Sequence, residues 1–380
     1  MHCDYEQLPH KGIRSLKPYI PGKSADELAS ERGLTDILKL ASNENPLGCS
    51  PLALKALSTL SAKTIATYPM SLHHPLRQKL ASLLNVETPM ITIGNGTDAI
   101  FCLLLTCFAL HTDKHILTHD YAFSSYGIQA KTLGIPVVST GVKRNWEIDI
   151  DAMIAAVTPQ TALIFIANPN NPTGLLVKQA DIKRLLQSIP SSTILVLDEA
   201  YYEYVDEADK AYGLELLKSY PNLVITRTFS KAYGLAGLRI GYAIAHPAIT
   251  SLLYRIQLPF VVNIAAMTAA FAALDDLGFL EQSTHMTKLG LKQLQEGLTA
   301  LNINYLPSAG NFITFDCNID SMPIYEGLQE YGIIVRPLHP YGLNQFLRVT
   351  VGTKEQNIRF LDKIRHLLNA LNGKSDLSAG

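Results

Sequence analysis

The chain has 380 residues, 47% of them apolar, and a formal net charge of −1. That length supports two domains with a large core, and a balanced charge without a basic stripe gives no reason to expect a nucleic-acid partner. The longest apolar stretch, Ala99 to Leu110, is too short to span a bilayer.

No apolar secretion signal is seen in Met1-His2-Cys3-Asp4-Tyr5-Glu6, and the five cysteines form no C-x-x-C pair. A reducing cytoplasm is therefore the expected setting, with no membrane contact. In chain order, residues 1–48 read as an N-terminal arm, turn-rich from Asn43. Residues 49–260 alternate short apolar strands with helix-like stretches, the pattern of an α/β domain with a mainly parallel sheet between helices. Met90-Ile91-Thr92-Ile93 leads into Gly94-Asn95-Gly96-Thr97-Asp98-Ala99 and then an apolar helix. A glycine turn before a helix N-terminus is an anion site by backbone geometry and dipole. The same residues fit a G-x-G-x-x-A dinucleotide fingerprint, with Asp113 or Asp120 as its acid. That dehydrogenase reading leaves the Asp198 and Lys231 segments without a role. His111, His115 and His119 recur at a spacing that could bind metal on a helix, but His115-Ile116-Leu117-Thr118 reads as a strand start. No metal is expected. Asn95-Gly96-Thr97 matches a glycosylation sequon, which a cytoplasmic chain would not use.

Ala162-Leu163-Ile164-Phe165-Ile166 reads as a strand running into the turn Ala167-Asn168-Pro169-Asn170-Asn171-Pro172-Thr173-Gly174. Ser192-Thr193-Ile194-Leu195-Val196-Leu197 reads as a buried strand with Asp198 at its carboxyl end, where open α/β sheets place ligands. A helix N-cap is the other reading of Asp198, although the tyrosine-rich segment after it is a poor helix start. The strand Leu223-Val224-Ile225-Thr226-Arg227 then feeds Thr228-Phe229-Ser230-Lys231-Ala232-Tyr233-Gly234-Leu235-Ala236-Gly237-Leu238-Arg239. A neighbouring cation and partial burial favour loss of a lysine's proton, as a nucleophilic amine requires. Hydroxyls, glycine-freed backbone and an arginine are what hold a phosphate. Together they point to a Schiff base with pyridoxal phosphate. The plain alternative is a surface lysine in a glycine-rich loop. Residues 261–380, entered through a helix around Val261–Leu274, read as a smaller α+β domain with which the arm packs. The tail after Asn372 reads as disordered.

Taken together, these segments resemble the fold-type-I pyridoxal-phosphate-dependent aminotransferases of class II, and among them the histidinol-phosphate aminotransferase family. The resemblance spans nearly the whole chain. It adds Leu16-Lys17-Pro18-Tyr19, Leu40-Ala41-Ser42-Asn43-Glu44-Asn45-Pro46, Thr67-Tyr68-Pro69, Asp198-Glu199-Ala200-Tyr201, Pro307-Ser308-Ala309-Gly310-Asn311-Phe312, Gly332-Ile333-Ile334-Val335-Arg336 and Leu347-Arg348-Val349-Thr350-Val351-Gly352 to the motifs above.

The resemblance implies pyridoxal 5′-phosphate as cofactor and transamination of L-histidinol phosphate with 2-oxoglutarate, giving imidazole-acetol phosphate and L-glutamate. Related chains act on aromatic amino acids or decarboxylate threonine phosphate, and both remain alternatives. The resemblance implies that Lys231 binds the cofactor covalently and carries a proton during the reaction, and that Asp198 pairs with the pyridine nitrogen. Asn171 and Tyr201 would bond the ring's phenolic oxygen, and Phe123 would stack on the ring unless Tyr121 does so. Gly96, Thr97 and Asp98 backbone, the Thr228 and Ser230 hydroxyls and Arg239 would hold the phosphate, with Tyr68 reaching it from the partner of a homodimer. Arg336 and Arg348 would take the substrate's anionic end, with Asn43 and Tyr19 beside them, while Asn311 would only support the C-terminal sheet.

Overall fold

The computed structural model describes residues 4–18, 23–70, 74–210 and 213–377, with side chains described as far as residue 368. The chain divides into two compact units. The first comprises Met1–Pro18, Cys49–Asn171 and Leu175–Leu280; the second comprises Tyr19–Gly48, Pro172–Gly174 and Glu281–Gly380. The division therefore falls at Leu280/Glu281 instead of residue 260, and the arm expected as one piece is split after Pro18. The reason for the later boundary is the alanine-rich helix Ile264–Ala273, which buries Ala266, Met267, Ala269 and Ala270 against the helices Pro51–Ser58 and Pro75–Leu84 of the first unit. The arm is split because His10 Nε2 donates to Thr132 O (3.0 Å), which ties the first residues to the first unit.

The first strand in sequence, β1 (Leu38–Lys39), belongs to the second unit. The next seven form one sheet in the first unit: β2 (Ile91–Gly94), β3 (His115–His119), β4 (Val137–Thr140), β5 (Thr161–Ala167), β6 (Ile194–Asp198), β7 (Leu223–Thr228) and β8 (Gly241–Ala245). Their order is β2-β8-β7-β6-β5-β3-β4, and only β8 runs against its neighbours. Every residue of β5, β6 and β7 is buried. Such strands are largely apolar on both faces, which is why β5 and β6 read as near-continuous runs and β7 turns polar only at Thr226-Arg227-Thr228. Alternation then divides them: Ile164, Ile166, Leu195, Leu197 and Ile225 pack into one core, and Leu163, Phe165, Val196 and Val224 into the other. Helices cover both faces.

Register sets the site. Asp198, last in β6, lies between Ala167 of β5 and Thr226 of β7. Gly241, first in β8, lies between Gly94 of β2 and Thr228 of β7. The loops that leave β2 and β7, and the one that enters β8, therefore meet at one glycine.

In the second unit, β9 (Tyr305–Leu306), β10 (Phe312–Asp316), β12 (Arg336–Pro337) and β13 (Phe346–Thr350) form an antiparallel sheet in the order β12-β13-β10-β9, and β11 (Ile333–Ile334) pairs parallel with β1. Leu294, Leu298, Phe315, Leu347, Val349 and Phe360 share its core. The C-terminal helix runs from Lys354 to Leu377, past the point where the sequence reads as disordered. Its apolar residues Phe360, Leu361 and Ile364, spaced for one helix face, anchor its first turns in that core.

A Cβ built on Gly241 would lie 3.0 Å from both Arg227 O and Thr97 N, which are backbone atoms that cannot step aside. Gly237 faces open space. We expect Gly241→Ala to cost about 1–3 kcal/mol through overpacking and Gly237→Ala to be nearly neutral. Urea midpoints of the two variants check this, and equal midpoints would show that the crossing at Gly241 is not tight.

Candidate active site

One cavity of the first unit is lined by Thr97, Asp98, Phe123, Ala167, Asn171, Asp198, Ala200, Tyr201, Thr228, Ser230, Lys231 and Arg239. All of these residues except Phe123 and Arg239 lie at, or within a few residues of, the carboxyl ends of β2, β5, β6 and β7.

At one end, the helix Thr97–Phe108 begins at Gly96, whose φ is +74° and which makes no side-chain capping bond. The first amides of a helix attract an anion. A Cβ on Gly96 would lie 2.7 Å from Arg239 Nη2, so only glycine lets this guanidinium lie over the turn. Arg239 itself has a left-handed backbone (φ +56°) and donates through Nη1 to Ser230 Oγ (3.3 Å) and Ala236 O (3.2 Å). Thr228 Oγ1 accepts from Ser230 N (3.0 Å), a local turn that sets Ser230 and Lys231 at the cavity wall. The Asp98 carboxylate accepts from Ser125 Oγ and from Gln129 Nε2 (3.4 Å). Bound in that way, its side chain is held by its own unit and its backbone is what the turn offers.

At the other end, Asp198 is 4% exposed. Its Oδ2 accepts from Tyr126 Oη (2.7 Å) and its Oδ1 from Thr226 Oγ1 (3.0 Å). Both side-chain partners are hydroxyls, not cations, and the Ala200 backbone N–H is a further donor. Burial pushes the carboxyl up to about 6, and the two hydroxyls act in the opposite direction. Lys231 Nζ lies 5.8 Å from the centroid of the Tyr201 ring. Behind Asp198, strand alternation turns Glu199 and Arg227 to the far face, where Glu199 Oε2 accepts from Arg227 Nε (2.8 Å) and is ion-paired with Nη2 at 2.7 Å. Asn168 closes the turn that carries Asn171: its Nδ2 donates to Val177 O (3.1 Å) and its Oδ1 accepts from Val177 N (2.8 Å).

Phe123 lines the cavity, whereas the Tyr121 ring packs with Trp146 at 5.4 Å. Tyr68 does not line it; it is 76% exposed and stacks on Phe260 at 4.7 Å. In the second unit, Arg348 is buried, donates through Nη2 to Ala41 O (2.8 Å), and lies opposite Arg336 in the β12–β13 register. Asn43 is buried beside it, with its amide donating to Thr350 Oγ1 (2.9 Å), and Asn311 Nδ2 donates to Asn43 O (3.0 Å). Asn311 thus props Asn43 as well as the sheet. Tyr19 lies outside the described residues. His115 and His119 stand at opposite ends of β3, and His111 precedes it.

Sequence reasoning missed Tyr126 and Thr226. Thr226 was within reach, because alternation along β7 puts it on the same face as Thr228. Tyr126 gave no signal, since its bond to Asp198 joins residues far apart in the chain.

The cavity thus pairs an anion cup with a buried acceptor at the strand ends of an open sheet, which defines a cofactor-type site in an α/β protein. The chain belongs to the class I and II aminotransferases, whose family description matches residues 35–364. It is 58% identical to histidinol-phosphate aminotransferase 2 of Legionella pneumophila (strain Lens), over 96% of this chain and 99% of that one. The solved structure of histidinol-phosphate aminotransferase from Sinorhizobium meliloti in complex with pyridoxal-5′-phosphate is similar, with a TM-score of 0.86, 26% identity and coverage of 96% and 98%. L-threonine-O-3-phosphate decarboxylase from Porphyromonas gingivalis matches with a TM-score of 0.76 and 24% identity over 88% of this chain and all of that one, and it shows the fold alone. The fold-type-I class expected from the sequence is the one observed.

The cavity fits pyridoxal phosphate. The Gly96 turn, the Thr228 and Ser230 hydroxyls and Arg239 suit a phosphate, and the buried Asp198 carboxylate suits a protonated ring nitrogen.

An acid whose pKa is higher folded than unfolded binds more protons in the folded state, so it lowers stability as pH rises through that window. For Asp198 the window runs from 3.8 to about 6. Cofactor-free Asp198→Asn should therefore be more stable than the cofactor-free parent above about pH 6, by on the order of 2–3 kcal/mol. The gap should close as pH falls to 4. His119, lowered to about 4 by burial, gives both proteins the same slope of opposite sign, which the difference removes. Urea midpoints from pH 4 to 8 check this, and a pH-independent gap would refute it.

Proposed function

We propose that this chain uses pyridoxal phosphate to exchange an amino group between L-histidinol phosphate and 2-oxoglutarate, giving imidazole-acetol phosphate and L-glutamate in histidine biosynthesis. The observation that carries the reading is the cavity that gathers Lys231, Asp198 and the Gly96–Arg239 cup. The similarity to curated histidinol-phosphate aminotransferases over nearly the full chain supports the choice of substrate. Bound there, pyridoxal phosphate supplies an electron sink for exchange at the amino-bearing carbon.

The residues divide the work. Lys231 Nζ is the attachment point, and once released it takes and returns the proton at the substrate carbon. Asp198 holds the ring nitrogen protonated. Asn171 and Tyr201 take the phenolic oxygen, and Phe123 covers a ring face. Gly96, Thr97, Asp98, Thr228, Ser230 and Arg239 hold the phosphate. Arg348, with Arg336, Asn43 and Tyr19, receives the anionic end of each substrate. A guanidinium suits both phosphate and carboxylate because its planar fork binds either through two bonds.

We also read the protein as a cytoplasmic homodimer in which Tyr68 completes the partner's phosphate site. Its support is an exposed apolar group on the first unit: Tyr68 and Phe260, stacked, with Met70 (60% exposed) and Leu258 (72% exposed). Patches of this kind on soluble proteins usually meet a partner. No helix among the described residues is long and apolar enough to cross a membrane.

Three measurements check the reading. Borohydride reduction of the holoenzyme followed by peptide mapping should label Lys231, and a label on another lysine would refute its role. In separate half-reactions, Arg348→Ala should depress kcat/KM for histidinol phosphate and for glutamate alike by about 2–5 kcal/mol, with the cofactor still bound. An effect on one half-reaction alone would sink dual recognition, and a wild-type preference for phenylalanine would replace the substrate. Mixed dimers of Tyr68→Ala and Lys231→Ala should regain activity that neither variant has alone, and well-mixed heterodimers without recovery would exclude a shared site.

A further inference from the structure

Tyr126 has no exposed surface. Its ring stacks on Phe165 (4.8 Å, 21°) and meets Phe101 (5.1 Å, 83°) and Phe123 (5.5 Å, 82°) edge to face. A ring locked on three others has little rotamer freedom left to lose, so its hydroxyl is aimed at no further entropic cost. It is aimed at Asp198 Oδ2, at 2.7 Å. Thr226 holds the other oxygen at 3.0 Å, so the carboxylate is gripped from the helix side and from the sheet side. The same tyrosine thus touches both the buried acceptor and the aromatic ring that lines the cavity.

Two accounts of the hydroxyl are open to physical test. A buried hydroxyl must find some acceptor, and Asp198 is within reach. In that account its loss weakens the fold and nothing else. In the other account it sets the carboxylate's orientation and keeps it ionised against burial. Only this one predicts an effect on the titration of Asp198.

We propose that Tyr126 is a positioning residue for the cofactor ring: its hydroxyl orients the Asp198 carboxylate and its ring edge sets Phe123, so that one side chain aligns the groups for the ring nitrogen and the ring face. The inference rests on the function proposed above.

Tyr126→Phe keeps the stacked ring and removes the hydroxyl alone. Titrated with pyridoxal phosphate in the absence of substrate and followed by fluorescence, the variant should bind about ten- to a hundredfold more weakly, the range for a lost bond to a charged group. The acid limb of its kcat profile should move to higher pH, because a carboxylate without this donor is harder to ionise. Site-specific 3-fluorotyrosine at position 126, a stronger donor with the same shape, should move that limb to lower pH. This arm also decides the matter should Tyr126→Phe fail to fold. A merely structural hydroxyl would lower the melting temperature in Tyr126→Phe and leave affinity and acid limb where they are, and that result would overturn the proposal. Asp198→Ala separates the two levels. If it binds pyridoxal phosphate as the parent does, the cofactor reading of the cavity fails. If it loses affinity while Tyr126→Phe does not, only the role of Tyr126 fails.

Discussion

A carboxylate buried at the end of β6, with hydroxyls for partners in place of a cation, is the constraint on which the site turns. Desolvation makes the ionised form of Asp198 costly, and Tyr126 and Thr226 offset only part of that cost. Such an arrangement is poor for folding and useful for binding, because a cationic N–H entering the cavity supplies the charge that the hydroxyls do not. Perturbed groups of this kind cluster where chemistry is done. The Glu199–Arg227 pair, one residue along on each strand, shows the contrast. There the carboxylate has its cation within 2.8 Å and belongs to the fold, on the opposite face of the same sheet.

The anion cup depends on a second constraint, the absence of side chains at Gly96 and Gly241. Gly241 lets β2 and β7 close on β8 so that the Thr97 amide and the Thr228 turn approach each other. Gly96 lets Arg239 lie over the helix start. Arg239 in turn accepts a left-handed backbone, strain that a surrounding network must hold in place. Its bonds to Ser230 and Ala236 supply that network. Helix dipole, hydroxyls and guanidinium then act on one point.

Much of this was legible in the sequence for a physical reason. Strands buried on both faces are largely apolar, so β5, β6 and the start of β7 stand out, and Asp198 at the end of β6 stands out with them. Lys231 and the Gly96 turn were marked by the glycines, hydroxyls and arginine around them, and the role of Asn171 came from family resemblance. The roles of Arg336, Arg348 and Asn43 came from family resemblance, because no local pattern marks a strand arginine as a ligand. The unit boundary was misplaced because the helix Ile264–Ala273 is rich in alanine all round and has no polar face to show which neighbours it joins. The split of the arm depends on a bond from His10 to a residue far along the chain, which no local window contains.

The second unit has its own logic. Arg348 binds the backbone of Ala41, Asn43 binds the side chain of Thr350, and Thr350 N donates to Leu40 O (2.8 Å). Residues 40–43 and 348–350 therefore form one hydrogen-bonded strip. Asn43 adopts φ +55°, a conformation that asparagine tolerates better than most residues. The guanidinium also lies 5.3 Å from the Phe312 ring centroid, a contact that suits arginine's planar, weakly hydrated cation better than a lysine ammonium. In the role proposed for it, a cation that receives phosphate in one half-reaction and carboxylate in the next has to keep its geometry while its ligand changes. Anchoring it to backbone on one side and to an aromatic face on the other serves that end.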